Sequence, residues 1–251
     1  MDGVHPGTNL QAHLLAFDTS TELMSVALGC AGNSRIWNGA GGAQASVELI
    51  PRIESMLAAA DIGYTDLDAI AFGCGPGAFT GLRTACAVAQ GLAFGAGLPV
   101  LAVDSLLIVA DDARAQEPAA GDIEIWVAMD ARMDEVYAAA YRWRAGRWQT
   151  DQAPALYALP ALNAIWASQP PTRVAGSALA AFGERLHHPG ATLRPQASDR
   201  AAALLRVAQG LWRDGAALPA DRALPLYLRD KVALTTRERE SVRAAKSQAL
   251  S

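Results

Sequence analysis

Residues 71–83, AFGCGPGAFTGLR, constrain the fold of this chain more than any other segment. Gly73, Gly75 and Gly77 provide backbone that can adopt positive φ or lie close to another surface. Pro76 fixes its own φ and disfavours the α region at the residue before it. An apolar run precedes these residues and a run compatible with a helix follows them. The segment therefore predicts a buried strand, a sharp turn and the start of a helix.

The pattern of apolar residues around this turn predicts the element order βββαβαβα. The predicted strands cover 13–17, 24–28, 34–37, 68–73 and 98–103, and the helices cover 46–60, 79–96 and 105–115. Pro51 falls inside the first helix and predicts a bend there or the true start of the helix. This order is that of the repeat unit of the actin, Hsp70 and sugar-kinase superfamily, in which helices cover a mixed sheet.

A second copy of the unit is predicted after the loop 116–121. Residues 123–130 form an apolar strand that ends in Asp, as 14–18 do, and 135–143 alternate into a further strand. We therefore predict an α/β, actin-like ATPase (ASKH) fold with two lobes, each a mixed β-sheet flanked by helices. The predicted divisions are a flexible N-terminus 1–12, an N-terminal lobe 13–115, a second, degenerate lobe 116–222, a returning extended segment 223–234 and a flexible tail 235–251.

Composition narrows the functional classes. The chain has 251 residues, of which 51% are hydrophobic and 18% charged, so it can bury a substantial core. Its formal charge of −4 gives no general attraction to phosphate backbones, and contact with nucleic acid is expected to be indirect. No apolar run approaches the roughly 20 residues of a membrane helix, and the three cysteines form no CxxC pair. We expect a cytoplasmic protein without a membrane partner.

Two aspartates mark equivalent strand ends in the two halves. Asp18 and Asp130 occupy the places where relatives in the superfamily hold a metal-bound nucleotide between the lobes, and the hydroxyls of Thr19 and Ser20 could meet phosphate oxygens. Neither aspartate is followed by the glycines that would let backbone N–H groups approach a phosphate. The sequence leaves two interpretations open: remnants of a nucleotide site, or side chains that cap turns.

The glycine turn also allows two interpretations. A helix N-terminus follows it and attracts anions, but the segment has no Lys and no GK[ST], so it is not a P-loop. Arg83, one turn into the helix, could face an anion or an acidic partner, or pair on the surface, while the glycines let the helix dock closely on its sheet. The residues assigned to this turn and helix start are Gly75, Pro76, Gly77, Phe79, Thr80, Gly81 and Arg83.

The histidines argue against hydrolytic chemistry. The four are His5, His13, His187 and His188, and they form neither HxxxH nor HExxH. Ser46 and Ser105 lie in no nucleophile elbow. The sequence therefore predicts no metal site, no catalytic residues and no peptidase activity.

Three motifs carry a family resemblance: GPGAFTGLR, LAFDTSTE at 15–22 and MDARMDEVY at 129–137. With LPLYLR at 224–229 they resemble the TsaB (YeaZ) family, over about 14–233. The resemblance implies a non-catalytic scaffold for the complex that transfers a threonylcarbamoyl group to N6 of adenosine 37 in tRNAs that read codons beginning with A. It implies a TsaD-like catalytic partner, a TsaE-like ATPase partner and a homodimer in isolation. Any ATP or ADP with Mg would lie at a boundary of the complex.

The first two helices are the predicted contact region. Both carry apolar or small residues on more than one face, which indicates either an exposed binding patch or burial of both faces inside the lobe. The resemblance implies that this region pairs with TsaD or with a second copy. The predicted interface residues are Ile53, Leu57, Leu82, Ala85, Ala89 and Leu92.

Relatives often carry His where this chain has Ala45, so a role that the histidine has in those relatives is not carried over to this chain. The alternative function is an ATP-dependent phosphotransferase of the same superfamily.

Overall fold

The structure is a computed structural model that describes residues 12–30, 32–117 and 121–229. The first lobe contains a five-stranded sheet of order β3-β2-β1-β4-β5. The β1-β2 and β2-β3 pairs are antiparallel, and β4 and β5 continue parallel to β1. Its elements are β1 (Leu14–Asp18), β2 (Leu23–Cys30), β3 (Asn33–Ala40), α1 (Ala45–Ala59), β4 (Ala69–Gly75), α2 (Phe79–Ala96), β5 (Val100–Asp104) and α3 (Ser105–Ala115).

The second lobe repeats this topology. Its sheet has the order β10-β9-β6-β7-β8, in which β6, β7 and β8 form the antiparallel meander and β9 and β10 run parallel to β6. The predicted duplication and fold class are therefore confirmed. The elements are β6 (Ile123–Asp130), β7 (Glu135–Arg144), β8 (Arg147–Ala158), α4 (Leu159–Ser168), β9 (Arg173–Ala175), α5 (Ala178–Phe182), β10 (Thr192–Arg194) and α6 (Arg200–Arg213).

Strand β1 is buried on both faces because helices cover both sides of the first sheet. Alternate side chains of a strand point to opposite faces. Leu15 and Phe17 accordingly pack against α1 and α2, whereas Leu14 and Ala16 pack against α6. The continuous apolar sequence of β1 follows from this sandwich, since a strand with one solvated face would alternate with polar residues.

The last helix of each unit packs into the core of the other lobe. The sequence assigned α6 to the second lobe, within 116–222, but its Leu204 and Ala208 cover the first sheet. In the same way, α3 contributes Val109 and Ala113 to the core beneath the second sheet. The assignment of α6 was wrong because an amphipathic helix shows that one face is buried, not which sheet buries it.

Several boundaries differ from the predictions. Helix α1 continues through Pro51, and β8 was not predicted at all. Residues 223–229 are not assigned to a strand, although the N–H of Leu226 donates to the carbonyl of Cys74 at 2.7 Å and ties this segment to the end of β4. Predictions for 1–11 and 230–251 lie outside the described residues. Within the described ranges, no helix is long and apolar enough to cross a membrane.

Candidate functional site between the lobes

A cavity with a volume of about 720 Å³ lies between the two lobes. The three motifs that carry the family resemblance and the LPLYLR segment all contribute to its wall. They supply residues 20–23, 76–79, 129–132 and 226–229. A cavity of this size is typical of a ligand site.

Asp18, at the end of β1, is committed to two structural contacts. One carboxylate oxygen accepts the N–H of Ser20 at 2.5 Å, and the other accepts a hydrogen bond from the guanidinium of Arg200 at 3.2 Å. The side chains of Asp18 and Arg200 are only 2% and 5% exposed. Gly73 on β4 makes room for the carboxylate, since a Cβ there would lie against it. A buried carboxylate paired with arginine is not open to a metal ion, so Asp18 does not fit a Mg-nucleotide site.

Thr19 and Ser20 hold the β1-β2 turn against helix α2. The Thr19 hydroxyl donates to the carbonyl of Gly81 at 2.7 Å. A Cβ on Gly81 would overlap the Thr19 carbonyl, and a Cβ on Gly77 would lie 2.5 Å from the carbonyl oxygen of Ser20. The interpretation that these glycines let the helix dock closely is confirmed. The Ser20 hydroxyl is buried and has no hydrogen-bond partner among the described residues.

The turn between β4 and α2 has the predicted sharp form. Gly75 has φ +117°, and the Gly75–Pro76 peptide bond is cis. The N–H of Gly75 donates to the hydroxyl of Ser105 at 3.1 Å. A Cβ on Gly75 would lie 2.9 Å from the carbonyl oxygen of Leu226. Glycine is therefore required both by the backbone conformation and by the close passage of the C-terminal segment.

Asp130, the equivalent residue of the second lobe, also caps a turn. Its carboxylate accepts the N–H of Arg132 at 2.8 Å and lies 3.5 Å from the Arg132 guanidinium. Its own N–H donates to the hydroxyl of Ser177 at 3.1 Å. This turn-capping geometry is the second of the two interpretations that the sequence left open for Asp18 and Asp130.

The turn after Asp130 has a left-handed backbone. Residues 132–134 have φ values of 64°, 57° and 57°, although none of the three is glycine. Such a conformation costs roughly 1–2 kcal/mol per residue and persists only where surrounding contacts fix it. Arg229 provides these contacts, because it donates to the carbonyl of Ala131 at 2.8 Å and to the carboxylate of Glu135 at 2.5 Å. Sequence reasoning missed this turn because no glycine or asparagine marks it.

A stacked cluster joins the start of α2 to the C-terminal segment. The Arg83 guanidinium lies 3.7 Å from the centre of the Phe79 ring, and its Nε donates to the hydroxyl of Tyr227 at 3.1 Å. The rings of Phe79 and Tyr227 are 5.2 Å apart. Thr80, the other predicted residue of this turn, is exposed. The structure thus brings GPGAFTGLR and LPLYLR together at the rim of the cavity.

A hydrogen bond between Asp104 of β5 and Tyr141 of β7 links the two lobes. The Tyr141 hydroxyl donates to Asp104, which also caps α3 by accepting the N–H of Leu106 at 2.9 Å. Burial raises the pKa of Asp104 to about 6, although both hydrogen bonds act to lower it. Burial, together with the Asp104 charge, raises the pKa of the Cys74 thiol to about 12.

The predicted interface residues do not form a surface. Ile53, Leu57, Leu82, Ala85 and Ala89 are at most 3% exposed, and Leu92 is half-buried. This prediction was wrong because all but Leu82 belong to the core of the first sheet or pack against it, and Leu82 is buried where it lines the cavity between the lobes. Different side chains on α1 and α2 are exposed, namely Val47 at 74%, Ile50 at 43% and Phe94 at 84%. Ala45, where relatives often carry His, is buried at the start of α1.

Two repeated α/β units around a cleft define a protein of the actin-like ATPase fold class. The model of the family described as "TsaD: tRNA N6-adenosine threonylcarbamoyltransferase" matches residues 42–233. The chain is 33% identical to the Escherichia coli tRNA threonylcarbamoyladenosine biosynthesis protein TsaB, over 88% of this chain and 96% of that protein. It is therefore a member of the TsaB (YeaZ) family, as predicted.

Other relatives agree with this assignment. The Haemophilus influenzae TsaB protein is 44% identical over 49% of this chain and 51% of its own length. Among solved structures, YeaZ from Pseudomonas aeruginosa superimposes with a TM-score of 0.77 at 35% identity, covering 86% of this chain and all of that one. A Pseudomonas aeruginosa protein described as similar to the peptidase YEAZ gives 0.79 at 36% identity, covering 87% and 100%.

Proposed function

We propose that this chain is a non-catalytic subunit in the formation of N6-threonylcarbamoyladenosine at position 37 of tRNAs that read codons beginning with A. It pairs with a TsaD-type catalytic subunit and with a TsaE-type ATPase. The names of its relatives support the pathway. The observation that supports the non-catalytic role is the buried ion pair between Asp18, at the end of β1, and Arg200, at the start of α6.

The ion pair matters because Asp18 is the residue at which the superfamily resemblance implies a metal-bound nucleotide. A cation that approached Asp18 would have to displace Arg200, and breaking a buried pair costs about 3–5 kcal/mol. The hydroxyl of Thr19 is also engaged, with Gly81. The cleft therefore supports a structural role better than phosphoryl transfer.

The exposed apolar side chains of α1 and α2 provide a surface for a partner subunit. Val47 and Phe94 are mostly exposed on α1 and α2, whose inner faces pack in the core of the first lobe. Covering such side chains removes apolar area from water, which favours association. We assign this face to the TsaD-type subunit in the complex and to a second copy of the chain in isolation.

Nucleotide and tRNA belong to the complex rather than to this chain alone. Since the carboxylates at the two strand ends are occupied by Arg200 and by the turn at Arg132, ATP or ADP with Mg would lie at a subunit boundary. The net charge of −4 supports an indirect contact with tRNA.

Reconstitution with the TsaD-type and TsaE-type proteins of the same organism tests this function. Threonylcarbamoyl incorporation into tRNA is expected to require the chain, whereas the chain alone is expected to turn over no ATP. The phosphotransferase alternative predicts the opposite: metal-dependent ATP turnover by the purified chain that Asp18→Ala or Asp130→Ala abolishes. Such turnover would refute the proposed role.

A further inference from the structure

We propose that Arg83, stacked on Phe79 and hydrogen-bonded to the Tyr227 hydroxyl, is a docking site for a carboxylate side chain of a partner protein. We call these three residues the Arg83 site. The proposal rests on the proposed function, because it assumes that the chain works in a complex. Phe79 and Tyr227 line the cleft, and Arg83 lies in the first turns of α2, eleven residues before the exposed Phe94 on the same helix.

The Arg83 guanidinium is held in place although the residue is exposed. Phe79 lies under its plane at 3.7 Å, and Tyr227 accepts from its Nε at 3.1 Å. These contacts fix the orientation and use one of its five N–H donors, so the edge formed by its two terminal nitrogens keeps the donors for a ligand. Ordering a free arginine side chain costs conformational entropy, and a guanidinium that is already stacked loses less of it on binding.

Arg83 also lacks the acidic partner that its neighbours have. Arg229 pairs with Glu135, and Arg132 lies near Asp130 and Glu22. In the described part of the chain, no carboxylate lies within ion-pair distance of Arg83. The planar guanidinium matches a carboxylate through two parallel hydrogen bonds, which is the strongest form of this interaction. The charge on the site is therefore complementary to an Asp or Glu of another protein.

The surroundings favour a polypeptide over a nucleic acid. Tyr227 is 44% exposed, and Leu224 on the same segment is 70% exposed. Met133, which contacts Arg229, is 65% exposed. Apolar and aromatic side chains next to an arginine are typical of protein interfaces. A polyphosphate backbone would meet one arginine without an acidic partner, in a protein of net charge −4.

The test measures association of the full chain with the purified TsaD-type and TsaE-type subunits by biolayer interferometry, at low and high salt. Arg83→Gln is expected to weaken one of the two associations about 10- to 100-fold at low salt, since charged hydrogen bonds carry this range of energy. Arg83→Lys is expected to restore part of the affinity. Arg213→Gln removes the same charge from an exposed arginine on α6 and is expected to change neither association. Circular dichroism melting checks that each variant folds.

The outcomes separate this proposal from the proposed function. If the wild-type chain binds the subunits and Arg83→Gln binds both equally well, the Arg83 site is refuted while the proposed function stands. If the wild-type chain binds neither subunit, both are refuted. Inorganic pyrophosphate and tRNA serve as further probes: loss of their binding in Arg83→Gln, with unchanged binding of both subunits, would assign the site to phosphate and also overturn the proposal.

Discussion

Replacing Asp104 with Asn should make the stability of the protein less dependent on pH. Asp104 lies at the junction of the lobes, where it caps α3 and accepts the hydrogen bond of Tyr141. The amide oxygen of asparagine can keep the N-cap contact with Leu106, while its NH2 group faces the Tyr141 oxygen and can donate to it, so this one hydrogen bond reverses direction. The substitution therefore removes the charge while it keeps the helix cap and the size of the side chain, so the pH-dependent part of its effect on the free energy of unfolding reports the cost of burying that charge.

The sign and size follow from the raised pKa. The pKa of Asp104 is raised from 3.8 to about 6, so the folded protein binds this proton more tightly than the unfolded chain does. The contribution to stability is fully present below about pH 3.8 and is lost as the pH rises through about 6. At 1.36 kcal/mol per pKa unit, the loss amounts to about 3 kcal/mol. Above pH 7, Asp104→Asn should therefore be more stable than wild type by up to about 3 kcal/mol.

Urea unfolding followed by tryptophan fluorescence, from pH 4 to pH 8, measures this effect. The difference in unfolding free energy between variant and wild type should grow between pH 4 and pH 6 and then level off. Asp122→Asn removes an exposed carboxylate and controls for the loss of a charge as such. Tyr141→Phe removes a hydrogen bond that lowers the pKa of Asp104, so it should extend the titration to higher pH. A difference between Asp104→Asn and wild type that stays constant with pH would refute the reasoning.

Three further predictions concern packing, the ion pair and the partner surface. Gly81→Ala should destabilise the protein by about 1–3 kcal/mol in urea unfolding, because its Cβ would strike a backbone carbonyl of the β1-β2 turn. The Cβ of Gly91→Ala on the same helix would meet no atom, so this control should stabilise the protein by up to about 1 kcal/mol. Equal effects of the two substitutions on the free energy of unfolding would contradict the close docking of α2. Arg200→Met should lower the free energy of unfolding by about 3–5 kcal/mol, because it leaves Asp18 charged and unpaired. The double variant with Asp18→Leu should recover most of this loss, and a double variant without recovery would count against the ion pair. Phe94→Glu should weaken self-association and binding to the TsaD-type subunit in sedimentation velocity, while unchanged sedimentation with an intact circular dichroism spectrum would exclude that face.

The fold could be predicted from sequence where burial leaves a clear pattern. Strands β1 and β6 are apolar and end in Asp, and this repetition predicted two equivalent units. Strand β8 was missed because most of its residues are exposed and Pro154 interrupts it, so its apolar residues do not alternate. Spacing on α1 identified apolar residues but could not distinguish Ile53, which faces the sheet, from Ile50, which faces outward.

The candidate site could be predicted only in part. The motifs containing Asp18, Arg83 and Asp130 were recognised, but the contacts that determine their roles come from distant residues. Arg200 lies in a helix with no unusual feature, and Arg229 is one basic residue near the end of the described chain. Sequence spacing does not reveal such contacts, because they depend on how the lobes pack together.

The reciprocal placement of α3 and α6 makes the two halves of the chain interdependent. A polypeptide that ended near residue 115 would lack α6 and would leave Leu14 and Ala16 facing water, and the remainder would lose the apolar residues that α3 places beneath the second sheet. Neither duplicate can therefore be discarded without loss of the other's hydrophobic interior. Val109 and Arg200 also line the cleft, so the contacts that join the two copies fix part of its wall.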